Sequence, residues 1–341
     1  MCRPDKKRIR RIEYLQDRCP ASMYMIAGLR TGFLFANFQE KGIHIMKRQN
    51  PIFEGAAVAI VTPFRDGSVD YEALKNLIEW QISSHTDAIV ICGTTGESST
   101  LTDDEHRDVI RFTVQTVDGR VPVIAGTGSN DTAYAIELSK DAYEAGADAL
   151  LLVTPYYNKT TQKGLVAHFT AIADAVDLPS ILYNVPSRTG VGIAVSTYRE
   201  LAEHPRIVAA KEAGGNISMI AQLMASCGEL LDVYSGNDDQ IVPILSLGGK
   251  GVISVLSNVM PKETHDICEW YLTGRTAESA ELQLKLLDLI NQLFCEVNPI
   301  PVKEALAMMG LCSGELRLPL CPMEKENRER LQTVMKKYAL L

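Results

Sequence analysis

Val208-Ala-Ala-Lys-Glu-Ala-Gly214 is the stretch from which the fold and the chemistry of this chain can be worked out. Its first three residues are typical of the end of a short buried strand, and Gly214 with Gly215 then forms a turn. Burial between such a strand and a turn disfavours an ammonium ion. We therefore expect the pKa of Lys211 to fall and its amine to become a nucleophile toward a carbonyl. From these seven residues alone, a lysine that follows its strand into solvent is the commoner outcome.

The position of this strand in the chain favours the reactive interpretation. Eight short apolar runs alternate with amphipathic segments, and Lys211 follows the sixth run. The runs cover residues 56–61, 88–92, 121–126, 149–153, 180–183, 207–210, 231–234 and 252–255. Eight strands that are each followed by a helix predict an α/β fold, a parallel (β/α)8 TIM barrel over residues 46–274. An open doubly wound sheet is the runner-up, but eight evenly spaced repeats favour closure.

Several helices of the predicted barrel have readable boundaries. Asp70 is placed to cap a helix over residues 71–83, and Thr102 with Glu105 forms a capping box. Asn130 is expected to cap a helix that stops at Gly146. After residue 274 the strand pattern ends, and residues 278–293, 301–309 and 324–338 are predicted as helices. They indicate a small C-terminal three-helix domain over residues 275–341.

The first 45 residues differ in composition from the rest of the chain. They carry nine Lys/Arg and four Asp/Glu, whereas the whole chain of 341 residues has a net charge of -8. Met46 begins a stretch that resembles a natural start. We interpret residues 1–45 as an N-terminal extension, either a disordered tail or an upstream read-through of a misassigned start.

Composition excludes several classes of protein. An acidic chain without a dense basic face is not expected to bind nucleic acid. No apolar run approaches the ~20 residues of a membrane-spanning helix. The eight cysteines form no CxxC pair and no Cys/His cluster at zinc spacing. We therefore expect no metal site, reduced thiols and a cytoplasmic location.

Polar side chains follow the predicted strands, where barrels of this kind carry their active sites. After the second run comes Gly93-Thr-Thr-Gly-Glu-Ser98, whose backbone N–H groups and hydroxyls can hold a carboxylate or phosphate. After the fifth, Tyr183 is placed for proton transfer and Arg188 for bidentate binding of a carboxylate. An ordinary glycine turn, a packed tyrosine and a solvated arginine are the alternatives. Together with Lys211, this set indicates carbonyl chemistry through a lysine imine.

In spacing and identity these motifs resemble the dihydrodipicolinate synthase family. The resemblance covers residues 46–341 and depends on the motifs Gly93-Thr-Thr-Gly-Glu-Ser98, Tyr156-Tyr157, Tyr183-Asn-Val-Pro-Ser-Arg-Thr-Gly190 and Lys211-Glu-Ala. It implies a lyase that condenses pyruvate with L-aspartate 4-semialdehyde to 4-hydroxy-tetrahydrodipicolinate, in diaminopimelate and lysine biosynthesis. No separate cofactor is implied, because pyruvate would bind covalently as an imine.

The resemblance also implies a role for each matching residue. Lys211 would form the Schiff base, and Tyr183 would relay protons with Thr94 and with Tyr157 from a neighbouring subunit. The pyruvate carboxylate would bind at Thr94 and Thr95, and the aldehyde substrate's carboxylate at Arg188. The backbone of Gly236 and Ile253 would line the site. A tight homodimer, and a dimer of dimers assembled with help from the C-terminal helices, is implied as well.

Two positions depart from lysine-inhibited members of the family. Those relatives bind lysine at a dimer cleft near the positions of Ser98, Ser99, His106, Asn130 and Tyr156. They typically have His where this chain has Asp103, and Glu where it has Tyr134. Without the carboxylate at position 134, the ammonium group of lysine loses an anionic partner. We predict weak or absent inhibition by lysine.

Two other functions remain open on the sequence alone. One is a different pyruvate-dependent aldolase of the same fold, such as an N-acetylneuraminate or keto-deoxy-sugar acid lyase. The other is a non-catalytic barrel that binds a small acid. A binding module has no need of a nucleophilic lysine, and Arg188 favours a short carboxylated aldehyde over a sugar.

Overall fold

The computed structural model describes residues 51–341 and contains the predicted closed barrel. Its eight strands are all parallel, and the last pairs with the first. They are β1 (Gly55–Ala59), β2 (Ala88–Ile91), β3 (Val123–Gly126), β4 (Ala149–Val153), β5 (Ser180–Asn184), β6 (Ile207–Glu212), β7 (Asp232–Ser235) and β8 (Gly251–Ser254). Each of the eight apolar runs therefore overlaps a strand, and the open doubly wound sheet is wrong.

Alternation along the strands separates an inner from an outer apolar layer. On β6, Ala209 packs in the barrel interior, whereas Ala210 belongs to the layer between the barrel and its helices. Lys211 is two residues after Ala209, so its side chain starts on the interior face. The sequence placed Lys211 beyond its strand; the structure corrects this, because the ladder with β5 and β7 continues through Glu212.

Nine helices pack outside the strands or follow them before the C-terminal segment. They are α1 (Tyr71–Ser83), α2 (Asp103–Val117), α3 (Thr132–Ala145), α4 (Gln162–Ala175), α5 (Pro186–Thr189), α6 (Val195–Leu201), α7 (Ile217–Cys227), α8 (Ile241–Ser246) and α9 (Pro261–Leu272), counted within residues 51–341. The cap at Asp70 and the capping box at Thr102 are confirmed. The predicted cap at Asn130 is wrong, because the carboxylate of Asp131 accepts from Ala133 N instead.

The C-terminal segment is helical, as predicted, but has one more helix than expected. Its helices are α10 (Thr276–Lys285), α11 (Leu287–Gln292), α12 (Ile300–Met308) and α13 (Lys325–Lys337). The single helix predicted over residues 278–293 is interrupted at Leu286. A short hairpin of Phe64–Arg65 and Ser68–Val69, which the periodicity did not indicate, follows β1. The division into domains at residue 274 stays a prediction, and the extension predicted for residues 1–45 lies outside the described residues.

No helix within residues 51–341 is both long enough and apolar enough to cross a membrane.

Candidate active site

Lys211 and Tyr183 form the centre of the candidate site at the carboxyl ends of the strands. The two residues are paired in the ladder between β5 and β6, so both side chains start on the same face. The Lys211 Nζ atom lies 4.4 Å from the centroid of the Tyr183 ring. Only 6% of Lys211 is exposed. The strand pairing thus brings the predicted nucleophile and the predicted proton relay together.

Burial lowers the pKa of Lys211, as the sequence predicts. Desolvation is the main cause, the nearby Arg188 adds to it, and Tyr183 and Asp238 oppose it. Asp238 is itself buried, and its Oδ2 atom accepts from the backbone N–H groups of Val255 and Leu256 at 3.1 and 2.9 Å. Together these effects make the neutral amine of Lys211 more favourable than it is in water. The neutral amine is the form that attacks a carbonyl.

The turn from Gly93 to Ser98, which follows β2, carries the two predicted hydroxyl ligands. Thr94 is half-buried, and Thr95 is buried with its Oγ1 accepting from Asn298 Nδ2 at 3.0 Å. The turn closes on itself, because Gly96 N donates to the carbonyl of Gly93 at 3.1 Å. Asn298 comes from just before α12 and was missed by the sequence reasoning, since no local pattern links residues 203 positions apart.

Arg188 lies in α5, a single helical turn that starts at Pro186. Its guanidinium group is exposed apart from one hydrogen bond, from Nη2 to the backbone carbonyl of Asn298 at 3.1 Å. A planar group with most of its N–H donors unengaged is suited to bidentate binding of a carboxylate. Asn298 therefore contacts two of the predicted substrate-binding residues, Thr95 and Arg188.

Gly236 directly follows β7, and Ile253 lies within β8. Ile253 packs in the inner layer from β8. Gly236 N donates to the carbonyl of Glu212 at 2.7 Å, and a Cβ atom at this position would lie 2.7 Å from the Cβ of Ala213. Only glycine permits this close approach of the two loops.

Tyr157 is almost fully exposed, whereas Lys211 is buried. The tyrosine is 91% exposed in the loop after β4, and its backbone has φ +66°. Within residues 51–341, therefore, little of the protein covers this tyrosine. Its predicted entry into the site of a neighbouring subunit stays a prediction.

Glu212, next to Lys211, points to the outer layer and joins three elements. Its carboxylate accepts from Tyr198 of α6 at 2.5 Å and from Asn184 Nδ2 of β5 at 3.1 Å. Asn184 Oδ1 in turn accepts from Ile193 N at 3.2 Å. Burial raises the pKa of Glu212 to about 7, although these hydrogen bonds oppose the shift. This network ties the strand that carries Lys211 to the loop that follows Arg188.

The two positions that depart from lysine-inhibited relatives contact each other. The Tyr134 hydroxyl donates to Asp103 Oδ1 at 2.6 Å. Burial, with this hydrogen bond, raises the pKa of Tyr134 to about 12. His106 is buried against the carbonyl of Gly126, and desolvation lowers its pKa to about 4.

One group of potential metal ligands occurs within the described part of the chain: His265, Asp266 and Glu269 on α9. His265 is already bonded to Asp87 at 2.9 Å and Asp266 to Lys262 at 2.6 Å. Asp87 directly precedes β2, so this group lies at the end of the barrel opposite Lys211. His265 and Asp266 thus already have charged partners within the protein.

Comparison with known proteins agrees with this fold. The model of the dihydrodipicolinate synthetase family matches residues 52–338. A 4-hydroxy-tetrahydrodipicolinate synthase of Caldicellulosiruptor saccharolyticus is 58% identical over 291 residues, which is 85% of this chain and 98% of the relative. One from Clostridium perfringens is 56% identical over 290 residues, 85% of this chain and all of that protein. The crystal structure of dihydrodipicolinate synthase from Aquifex aeolicus superimposes with a TM-score of 0.83 at 50% identity, over 84% of this chain and 99% of that one.

Fold and site together define a class, that of the α/β-barrel lyases. Within that class, the chain belongs to the dihydrodipicolinate synthetase family.

Proposed function

We propose that this chain condenses pyruvate with L-aspartate 4-semialdehyde, through an imine on Lys211, to give 4-hydroxy-tetrahydrodipicolinate. The observation that carries the proposal is the buried amine of Lys211, 4.4 Å from the Tyr183 ring at the catalytic end of the barrel. The names of relatives that are 56–58% identical over nearly their whole length support the same reaction. The product would enter diaminopimelate and lysine biosynthesis.

The reaction begins with the neutral amine of Lys211. The amine attacks the ketone carbon of pyruvate, and the resulting carbinolamine loses water to give a protonated imine. The iminium withdraws electrons from the adjacent methyl group, which loses a proton and leaves an enamine. Tyr183, whose ring lies beside the amine, is the group suited to move these protons.

The enamine then attacks the aldehyde carbon and forms the new C–C bond, while the aldehyde oxygen gains a proton. The amino group of the semialdehyde adds to the imine carbon, closes the ring and releases the amine of Lys211. One water is lost over the whole reaction. No cofactor other than the covalently bound substrate takes part in these steps.

The remaining predicted residues bind the two substrates. Thr94 and Thr95 would hold the pyruvate carboxylate with their hydroxyls and N–H groups. Arg188 would bind the carboxylate of the semialdehyde, and its mostly unengaged guanidinium group supports this role. Gly236 and Ile253 would line the pocket with their backbones.

A tight dimer would complete the site. Tyr157 is 91% exposed and would extend the proton relay of Tyr183 and Thr94 in a neighbouring subunit. Pairing of two such dimers into a tetramer, and a cytoplasmic location, remain expectations from the sequence.

Trapping with borohydride tests the imine directly. Borohydride reduces a pyruvate imine to a stable secondary amine, so peptide mass spectrometry should find pyruvate attached to Lys211. The Lys211→Ala variant is the matched control and should show no adduct. A folded wild-type protein without an adduct would support the non-catalytic acid-binding barrel. Release of pyruvate from N-acetylneuraminate or a keto-deoxy-sugar acid, without condensation of the semialdehyde, would support the sugar-acid lyase.

A further inference from the structure

Glu97 is the residue of the Gly93–Ser98 turn for which the proposed reaction has no use. It lies two residues after Thr95, and its backbone has φ +52°, a left-handed conformation that is uncommon for residues with a side chain. It is only 3% exposed although it is ionisable. A buried carboxylate in a strained turn needs a specific partner.

That partner is Lys303 on α12, 206 residues further along the chain. Its Nζ atom lies 2.6 Å from Glu97 Oε1, and the whole lysine is 0% exposed. The same ammonium group lies 4.1 Å from the centroid of the Phe64 ring. Burial lowers the pKa of Lys303, and Glu97 opposes that shift. The two charges are thus removed from water together.

The second carboxylate oxygen of Glu97 is also engaged from the C-terminal segment. Glu97 Oε2 accepts from the backbone N–H of Arg317 at 3.2 Å. With the hydrogen bond from Asn298 to Thr95, the C-terminal segment makes three polar contacts with this turn. On its other side, the turn is fixed to the barrel by Thr62, whose hydroxyl donates to the carbonyl of Gly96 at 2.7 Å.

A displacement of Glu97 would also displace Thr94 and Thr95, which belong to the same turn. Glu97 N donates to the carbonyl of Thr94 at 3.1 Å, so the two residues are joined by the hydrogen bond of one tight turn. An apolar pair could fill the same space with equal or greater stability, because desolvating two charges offsets most of their attraction. The advantage of the charged pair is its fixed geometry.

We propose that Lys303 is a positioning residue, which holds Glu97 and thereby sets the N–H groups and hydroxyls of Thr94 and Thr95 against the pyruvate carboxylate. This inference rests on the proposed function, since it assigns pyruvate to that turn. It also gives the C-terminal helices a role in the site of their own chain.

The test measures the pyruvate concentration that gives half-maximal borohydride trapping, in the full-length protein. Lys303→Met leaves Glu97 buried without its partner and should lower the melting temperature. It should also raise the half-saturating pyruvate concentration roughly tenfold or more, since a small misplacement of binding groups is costly. The KM for the semialdehyde should stay within about twofold, because Arg188 is not displaced.

The double variant Glu97→Gln with Lys303→Met separates position from stability. It removes both charges and keeps the volume, so melting temperature should partly recover while pyruvate binding stays weak. Leu306→Ala, a buried change on α12 without a polar contact to the turn, is the matched control. It should lower the melting temperature but leave pyruvate binding unchanged.

Normal pyruvate half-saturation in the folded double variant would overturn the proposal, and so would equal weakening in Leu306→Ala. If Lys303→Met fails to fold, the double variant decides. Absence of trapping in the wild-type protein would instead contradict the proposed function, so the two failures are distinguishable.

Discussion

Arg188→Ala should separate the two substrates of the proposed reaction. The guanidinium group makes one hydrogen bond in the structure, to the carbonyl of Asn298 at 3.1 Å, and is otherwise exposed. Its removal leaves no cavity, so the free energy of unfolding should fall by about 1 kcal/mol or less. A charge-assisted, bidentate contact with a substrate carboxylate is stronger, about 1.5–3 kcal/mol.

That contact energy corresponds to a rise of roughly 10- to 150-fold in the KM for L-aspartate 4-semialdehyde. The pyruvate half-reaction should be little affected, because the imine forms before the aldehyde binds. Steady-state kinetics with both substrates, together with borohydride trapping by pyruvate, measure the two effects separately. Arg188→Lys keeps the charge but not the planar fork, so its KM should lie between those of the wild type and the alanine variant.

Two outcomes would refute the assignment of Arg188. One is an equal loss of pyruvate trapping and of aldehyde binding, which would indicate a general disturbance of the site. The other is an unchanged KM for the aldehyde in a folded variant, which would show that its carboxylate binds elsewhere.

Three further changes test the surroundings of the site. Burial raises the pKa of Glu212 from 4.5 to about 7, so its protonated form contributes about 3 kcal/mol of stability below pH 4.5, which is lost as the pH rises through 7. Chemical denaturation of Glu212→Gln should show a weaker fall in stability over that range than the wild type, and parallel curves would contradict this. Lysine should not inhibit at sub-millimolar concentration in a steady-state assay, because position 134 carries no carboxylate and the Tyr134 hydroxyl is hydrogen-bonded to Asp103. The double change Asp103→His with Tyr134→Glu should introduce inhibition. Sub-millimolar inhibition of the wild type would disprove the prediction. Gly236→Ala places a Cβ atom 2.7 Å from that of Ala213. This overpacking should lower the free energy of unfolding, measured with urea, by about 1–3 kcal/mol. A variant as stable as the wild type would show that the two loops can move apart.

Local patterns were sufficient for the strands of the barrel. Each buried strand coincides largely with a short apolar run. Eight such repeats, each followed by a helix, favour a closed barrel over an open sheet. Local patterns did not predict where the elements end. The strand with Lys211 continues two residues beyond its apolar run, because backbone pairing and not side-chain polarity ends a ladder. Similarly, Asp131 caps α3 although the adjacent Asn130 has equal capping propensity.

Contacts between distant segments could not be predicted from the sequence. Asn298 precedes α12 and Lys303 lies within it, and no neighbouring residue indicates a link to Thr95 or Glu97. The tertiary fold decides which charged side chains come together as a buried pair. A single sequence without that geometry predicts a solvated lysine at position 303.

The sequence by itself determined the barrel, the place of Lys211 at the sixth apolar run and the reaction class, because apolar periodicity and strand order depend on local chemistry. The tertiary structure decided which groups surround that lysine and how strongly it is desolvated. It places Tyr183 beside the amine through strand pairing, and it brings the C-terminal helices against the threonine turn. Both effects depend on through-space distances, which are fixed only when the barrel closes.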